Sequence, residues 1–301
     1  MIYFILSVAG MTLTAVLFRA AMAKRGTPIG FNVVYRISTA VFWLASVVPA
    51  QGGFDLRAYL TPAGLLGLVA LGVYIVSGVS AAYIVRLGPL GASWTILRCS
   101  MVFGTFASLF YWREVTPATP VLFGARLAGV AVAVAAIACF GVEHSRRVEG
   151  AAASAGDRRR LKAWFVWMGF ALLAQGAWEI CLRATKDVCP DDASRTAFLT
   201  VVFVGAGAMA MPLAPLRRTR PNRSDILFGI LAGITGAVGS GMRPWAIRDL
   251  GGAFVFPATA ILVTLGAQAA SRMLWKERFG RLGVVATALT IIGILLLTLR
   301  F

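Results

Sequence analysis

The chain has 301 residues, of which 59% are hydrophobic and 14% charged, against about 45–50% and about 25% in soluble domains, which excludes a water-soluble fold. Lys plus Arg number 29 against 12 Asp plus Glu, a formal charge of +17 that in a soluble protein would suggest nucleic acid. Here the basic residues sit in short segments between apolar runs, as where membrane loops meet anionic headgroups, and nucleic acid is excluded as a partner.

Taken in chain order, apolar runs long enough to cross about 30 Å of hydrocarbon predict ten transmembrane helices. They are Ile2–Met22, Phe31–Ala50, Ala63–Val85, Ala92–Tyr111, Val121–Phe140, Ala163–Leu182, Ala197–Leu216, Ile226–Ile247, Ala253–Met273 and Leu282–Leu297. Turn chemistry marks the breaks, as at Gly26-Thr27-Pro28, Gly88-Pro89, Pro190-Asp191-Asp192, Pro221-Asn222 and Gly251-Gly252. The first run ends in Ala21-Met22-Ala23 like a signal peptide, but it lacks a basic start and is too long, so it reads as a membrane helix. Cys99, Cys139, Cys181 and Cys189 form no CxxC pair and the one histidine, His144, lies in a hydrophilic stretch, so no metal or other cofactor is expected.

A basic stretch divides the chain into a first five-helix unit, 1–141, a linker, 142–162, and a second five-helix unit, 163–301. The linker holds Arg146, Arg147 and Asp157-Arg158-Arg159-Arg160 around a run of small residues. The units share spacing. Leu87-Gly88 precedes Glu114 by the same 26 residues, counted from the glycine, that separate Leu250-Gly251 from Glu277. An odd number of helices per unit turns the second copy upside down, giving an inverted repeat of the kind found in secondary transporters.

Polar side chains inside apolar spans carry the functional reading, because an ionised group at the bilayer centre costs at least about 2.5–3.5 kcal/mol. Gln175, Trp178, Glu179 and Arg183 fall on one face of the sixth span. Glu179 reads either as a coupling or gating residue, where a proton and substrate exchange, or as half of a static ion pair with Arg183 or an arginine from a neighbouring helix. Trp94 and Arg98 lie one turn apart on the fourth span, Arg36 shares a face with Asn32 and Thr39, and Arg243 shares one with Thr235 and Gly239. Arg36, Arg98 and Arg243 outnumber the single internal carboxylate, and a cavity that they line would suit a carboxylate or phosphate bound by forked hydrogen bonds. Snorkelling to headgroups is the alternative for each. Tyr74, Trp178, Trp245 and Gln268 are candidates to complete the substrate pocket, with an interfacial belt the alternative for Trp245. Glu114 and Glu277, beside Arg113 and Lys276, read as structural, and Gly229, Gly233 and Gly236 as a close-packing face. A lone histidine and the absence of a phosphate loop argue against an enzyme or an ATPase.

The chain resembles the drug/metabolite transporter superfamily, of the ten-helix EamA-like type, on Tyr83-Ile84-Val85-Arg86-Leu87-Gly88, Trp245-Ala246-Ile247-Arg248-Asp249-Leu250-Gly251, Glu114, Glu277 and Arg36 in Tyr35-Arg36-Ile37-Ser38. The resemblance implies a cavity lined by the first, third, fourth, sixth, eighth and ninth spans, alternating access, and export. Its termini would be cytoplasmic, whereas the positive-inside rule, read from Lys24, Arg25, Arg86, Arg217, Arg218 and the linker, places both termini outside.

The expectation is a multi-pass protein of the bacterial inner (plasma) membrane that moves a small organic solute with an anionic group, in contact with membrane lipids and coupled to a proton or an exchanged counter-substrate. One alternative is an exporter of amino acids or amphipathic drugs through an aromatic cavity. Another is a flippase or partner subunit handling a lipid-linked phosphate. The oligomeric state, a homodimer included, stays open.

Overall fold

The computed structural model describes residues 1–24, 26–50, 60–88, 90–112, 155–214, 220–276 and 280–298, with short helical pieces between 124 and 143. The elements are α1 (Ile2–Ala23), α2 (Pro28–Ala50), α3 (Pro62–Leu87), α4 (Leu90–Cys99), α5 (Met101–Phe106) with a π-helical turn (Ala107–Tyr111), α6 (Ala155–Val188), α7 (Asp192–Ala210), α8 (Arg223–Gly241), α9 (Arg243–Leu250), α10 (Gly252–Trp275) and α11 (Arg281–Thr298). The fold of the described residues is all α.

Local chemistry sets the helix ends. Pro62 starts α3 and Pro244 lies in the first turn of α9, at positions where a missing N–H costs nothing. α7 and α8 open on capping boxes. Asp191 Oδ1 accepts from Ser194 N at 2.7 Å, and Asn222 Oδ1 accepts from Asp225 N at 2.8 Å. Gly251, at φ 79°, turns the chain between α9 and α10 in a conformation that L side chains rarely adopt.

The helices close into a ring. α1 packs on α8, α8 on α2, α2 on α7, α7 on α3, α3 on α6, α6 on α5, and α10 joins α4 and α5 back to α1, with α11 outside α10. Glycines set the tightest crossings. A methyl at Gly10 would stand 2.6 Å from Gly239 N, and one at Gly233 would stand 2.6 Å from Ser38 Cβ. Gly229 and Gly236 likewise meet Val34 and Tyr35, so the close-packing reading of that face holds. Hydroxyls stitch the same seams: Ser7 Oγ donates to Gly239 O at 2.7 Å, and the Thr14 and Thr235 hydroxyls lie 2.9 Å apart.

The outside of the ring exposes Ile5, Leu13, Leu65, Leu68, Val69, Phe170, Leu173 and Leu227, while Arg36, Arg98, Glu179 and Arg243 are buried. That inversion belongs to a bilayer-embedded bundle. Among the described residues seven helices are long and apolar enough to cross a membrane, with two shorter apolar helices at Ile96–Phe106 and Arg281–Gly293. The protein is thus an all-helical, multi-pass membrane bundle.

The ten-helix, two-repeat architecture expected above is corrected by these spans. The fourth predicted span breaks at Ser100, where Ser100 N bonds Leu97 O at 3.1 Å in a turn and a π-helical turn ends the run. The tenth is apolar at a shorter length, and half of the fifth, Val121–Phe140, lies outside the described residues. Arg113, Glu114, Glu277 and most of the linker also lie outside them, although Ala155 to Lys162 are helical and lengthen α6.

Candidate functional site

The helix ring encloses a cavity of about 600 Å³ of atom-free space, counted to its open mouth. About 70 Å³ of it admits the centre of a water-sized sphere, less than most small-molecule sites offer. Six of the ten predicted site residues line it: Arg36 from α2, Tyr74 from α3, Trp94 and Arg98 from α4, and Gln175 and Trp178 from α6. Further walls come from Met11, Thr14 and Phe18 of α1, Tyr35 of α2, Ser77 and Gly78 of α3, and Gly236 and Ser240 of α8. The second helix contributes in place of the ninth predicted span, which lends the lining no residue.

Arg36 is held in place from three directions. Its Nη2 donates to Tyr74 O at 2.6 Å, its guanidinium lies 3.7 Å from the Tyr74 ring centre and 4.9 Å from that of Tyr35, and Gly78 leaves the room it occupies. The Tyr35 and Tyr74 hydroxyls lie 3.2 Å apart. Arg98 also lines the space, 5.6 Å from the centre of the Trp94 ring. Tyr74 tilts against Trp178 at 5.0 Å between ring centres. Two arginines, several aromatic rings and an amide therefore share the lining of one space.

The donors are undersupplied with acceptors. Among the described residues Arg36 Nη1, Trp94 Nε1, and Arg98 Nε and Nη1 are buried without a hydrogen-bond partner. Buried N–H groups are nearly always paired, and a charged group left unpaired is the costliest case.

Beside the cavity Glu179 meets Arg243. Arg243 Nη1 donates to Glu179 Oε1 at 2.9 Å and Nη2 donates to Oε2, with neither side chain exposed. Gln175 Nε2 donates to Glu179 Oε1 at 2.7 Å and Gln175 Oε1 accepts from Ser77 Oγ at 2.6 Å, so one relay joins the cavity wall to the buried pair.

Four predicted substrate contacts do not line the cavity. Glu179 and Arg243 are spent on each other. Trp245 donates from Nε1 to Asp192 Oδ1 at 2.9 Å, at the end of the bundle that carries Met1. Gln268 donates to Thr287 Oγ1 at 2.8 Å across the α10–α11 contact. Arg183, a suggested partner of Glu179, bridges instead to Asp187 at 3.1 Å. At that same end Asp192 Oδ1 also accepts from Arg195 at 3.0 Å and Arg248 at 2.7 Å, an ionic cluster tying the start of α7 to α9. Sequence reasoning missed Phe18, Tyr35 and Ser77. Helical spacing carried no signal for them, since each looks inward only through the neighbours that the ring of helices brings to it.

No family model and no curated protein matches the chain. A solved structure described only as "Crystal structure of protein" shares its fold, at a TM-score of 0.54 and 18% identity over 97% of this chain and 98% of that one. At that identity the likeness is one of fold alone. With seven membrane-length helices among the described residues and no matching family model, membership in the drug/metabolite transporter superfamily and its EamA-like branch is not supported, and the assignment from sequence resemblance is corrected.

Proposed function

We propose that this bundle is a secondary transporter that carries a small organic solute bearing a carboxylate or phosphate through the central cavity. The observation that supports the reading is the set of buried, unpartnered donors on Arg36, Trp94 and Arg98 in one cavity. A guest with two or more acceptor oxygens satisfies them, whereas an apolar one leaves them stranded. Tyr74 and Trp178 then hold the organic part.

Transport by alternating access requires one end to open as the other closes. The Asp192 cluster with Trp245, Arg195 and Arg248 closes the end bearing Met1, and the Glu179–Arg243 pair lies between it and the cavity. In this reading the pair is a gate that parts when the solute or a proton competes for its members. The solute crosses chemically unchanged. Helical spans suit a bacterial plasma membrane rather than an outer membrane, which takes closed barrels.

The test is uptake of labelled carboxylates and phosphate esters into proteoliposomes. Arg36→Gln and Arg98→Ala are expected to lose most uptake. If both variants carry every anion at the wild-type rate while Tyr74→Ala and Trp178→Ala fail, the cavity works through its aromatics and the anion reading is wrong.

A further inference from the structure

Resting on the reading of the cavity as an anion site, we infer that its ligand carries two negative charges, as a dicarboxylate or a phosphate monoester does. The inference follows from charge balance. Arg36, Arg98 and Arg243 lie buried at the centre of the bundle with one carboxylate, that of Glu179. Glu179 gives both oxygens to Arg243, so that pair is neutral as a unit. Two positive charges remain, and they belong to the two arginines that line the cavity.

Among the described residues no other carboxylate is placed to cancel them. Asp187 is paired with Arg183, Asp192 with Arg195 and Arg248, and Asp249 with Arg248. Asp191 caps α7, and Glu143 accepts from Gly280 N. Asp225, on the first turn of α8, accepts from Thr27 and Asn222 and stands roughly 16 Å along the helix from Gly236 of the lining.

Ring contacts from Tyr74, Tyr35 and Trp94 lessen the cost of burying the two guanidiniums, but a ring carries no net charge. A monoanion leaves one guanidinium uncompensated in a low-dielectric space. A dianion supplies the two charges that the guanidiniums lack, and its oxygens are acceptors of the kind that Arg36, Arg98 and Trp94 leave unfilled.

The experiment is titration calorimetry on the full chain in detergent, comparing succinate with butyrate, glycerol phosphate with glycerol, and glycerol phosphate with a short-chain phosphatidic acid. Succinate is expected to bind at least roughly tenfold tighter than butyrate. Arg36→Gln and Arg98→Gln each bring the two acids level by weakening succinate, while Arg98→Lys, which keeps the charge, retains the preference. Should Arg98→Gln fail to fold, Arg36→Gln and Arg98→Lys still decide the matter. Equal binding of succinate and butyrate by the unaltered chain overturns the two-charge inference and leaves the anion reading standing. Binding of no acid and no phosphate overturns both. Binding of phosphatidic acid without glycerol phosphate assigns the two charges to a lipid headgroup instead of a water-soluble solute.

Discussion

Arg243 of α9 closes both prongs of its guanidinium on the carboxylate of Glu179 of α6, and neither side chain reaches the surface of the bundle. Arginine is suited to this because its planar fork matches a carboxylate in two parallel bonds. Gln175 completes the shell from one turn away.

Removing one member leaves the other as an uncompensated buried charge. Glu179→Gln is therefore expected to destabilise the chain by about 3–5 kcal/mol, read from unfolding of the purified protein in detergent. The double change Glu179→Leu with Arg243→Met removes both charges and should recover most of that loss. If Glu179→Gln unfolds no more readily than the unaltered protein, the pair contributes nothing to stability.

Gly78→Ala tests the seat of Arg36. The added methyl overlaps Arg36 Nη2 and lies 3.1 Å from Asn32 Oδ1. The obstructed atom is the tip of a flexible side chain, so α3 stays intact while the guanidinium swings away from the Tyr74 ring. The expected result is a rise in KM for anion uptake of roughly tenfold with thermal stability unchanged or slightly higher, since alanine favours a helix over glycine by about 0.5–1 kcal/mol. An unchanged KM would show that Arg36 is not a contact.

Asp192→Asn tests the closure at the Met1 end. Its carboxylate is half-exposed and gathers Trp245, Arg195 and Arg248, so the loss in stability should stay below about 1 kcal/mol. The local effect is larger. Amide hydrogens of residues 243–250 should exchange faster in the variant than in the parent, while those of α3 are unaffected. Equal protection of α9 in both proteins would remove the cluster from any role in closure.

Cys189, between α6 and α7, is buried, and burial pushes its thiol up to about 11, with Asp191 adding to the rise and Arg195 opposing it. Only the thiolate reacts with alkylating agents. Alkylation of Cys189 should therefore be slow at pH 8, rise about tenfold with each pH unit and level off only above about pH 11. The sign for stability is the same: the protonated thiol favours the folded chain below its ordinary range near pH 8.5, and that contribution fades as pH rises through the folded value. Rapid labelling at pH 8, followed by mass spectrometry of the peptide, would contradict this placement.

The membrane character of the chain, most of its helices and the caps at Asp191 and Asn222 were readable from hydropathy and turn chemistry. So was the shared face of Gln175, Trp178 and Glu179, because the helical period fixes it whatever surrounds the helix. Partner choice was not readable. Glu179 pairs with Arg243, 64 residues away, in preference to Arg183 one turn along, which finds Asp187; sequence spacing says nothing about which helix of a ring faces which. The break at Ser100 was missed because a hydropathy average is blind to a turn between two equally apolar segments. Phe18 and Tyr35 carry no functional signal in the sequence, and only the ring of α1, α2 and α8 brings them to the cavity. The count of spans failed because it leaned on segments of uneven apolar length, and the family resemblance because short motifs at matched spacing do not amount to a family match.

Helix α9 has one further consequence. Arg243, anchored in the dry interior, and Trp245 and Arg248, anchored on a surface carboxylate, ride on the same eight-residue helix between Met242 and Gly251. So short a rod tilts as one piece, and an event at its hidden foot must be felt at its wet tip. A fluorophore placed near position 248 is therefore a reporter for the innermost charge of the molecule, which no dye could reach directly.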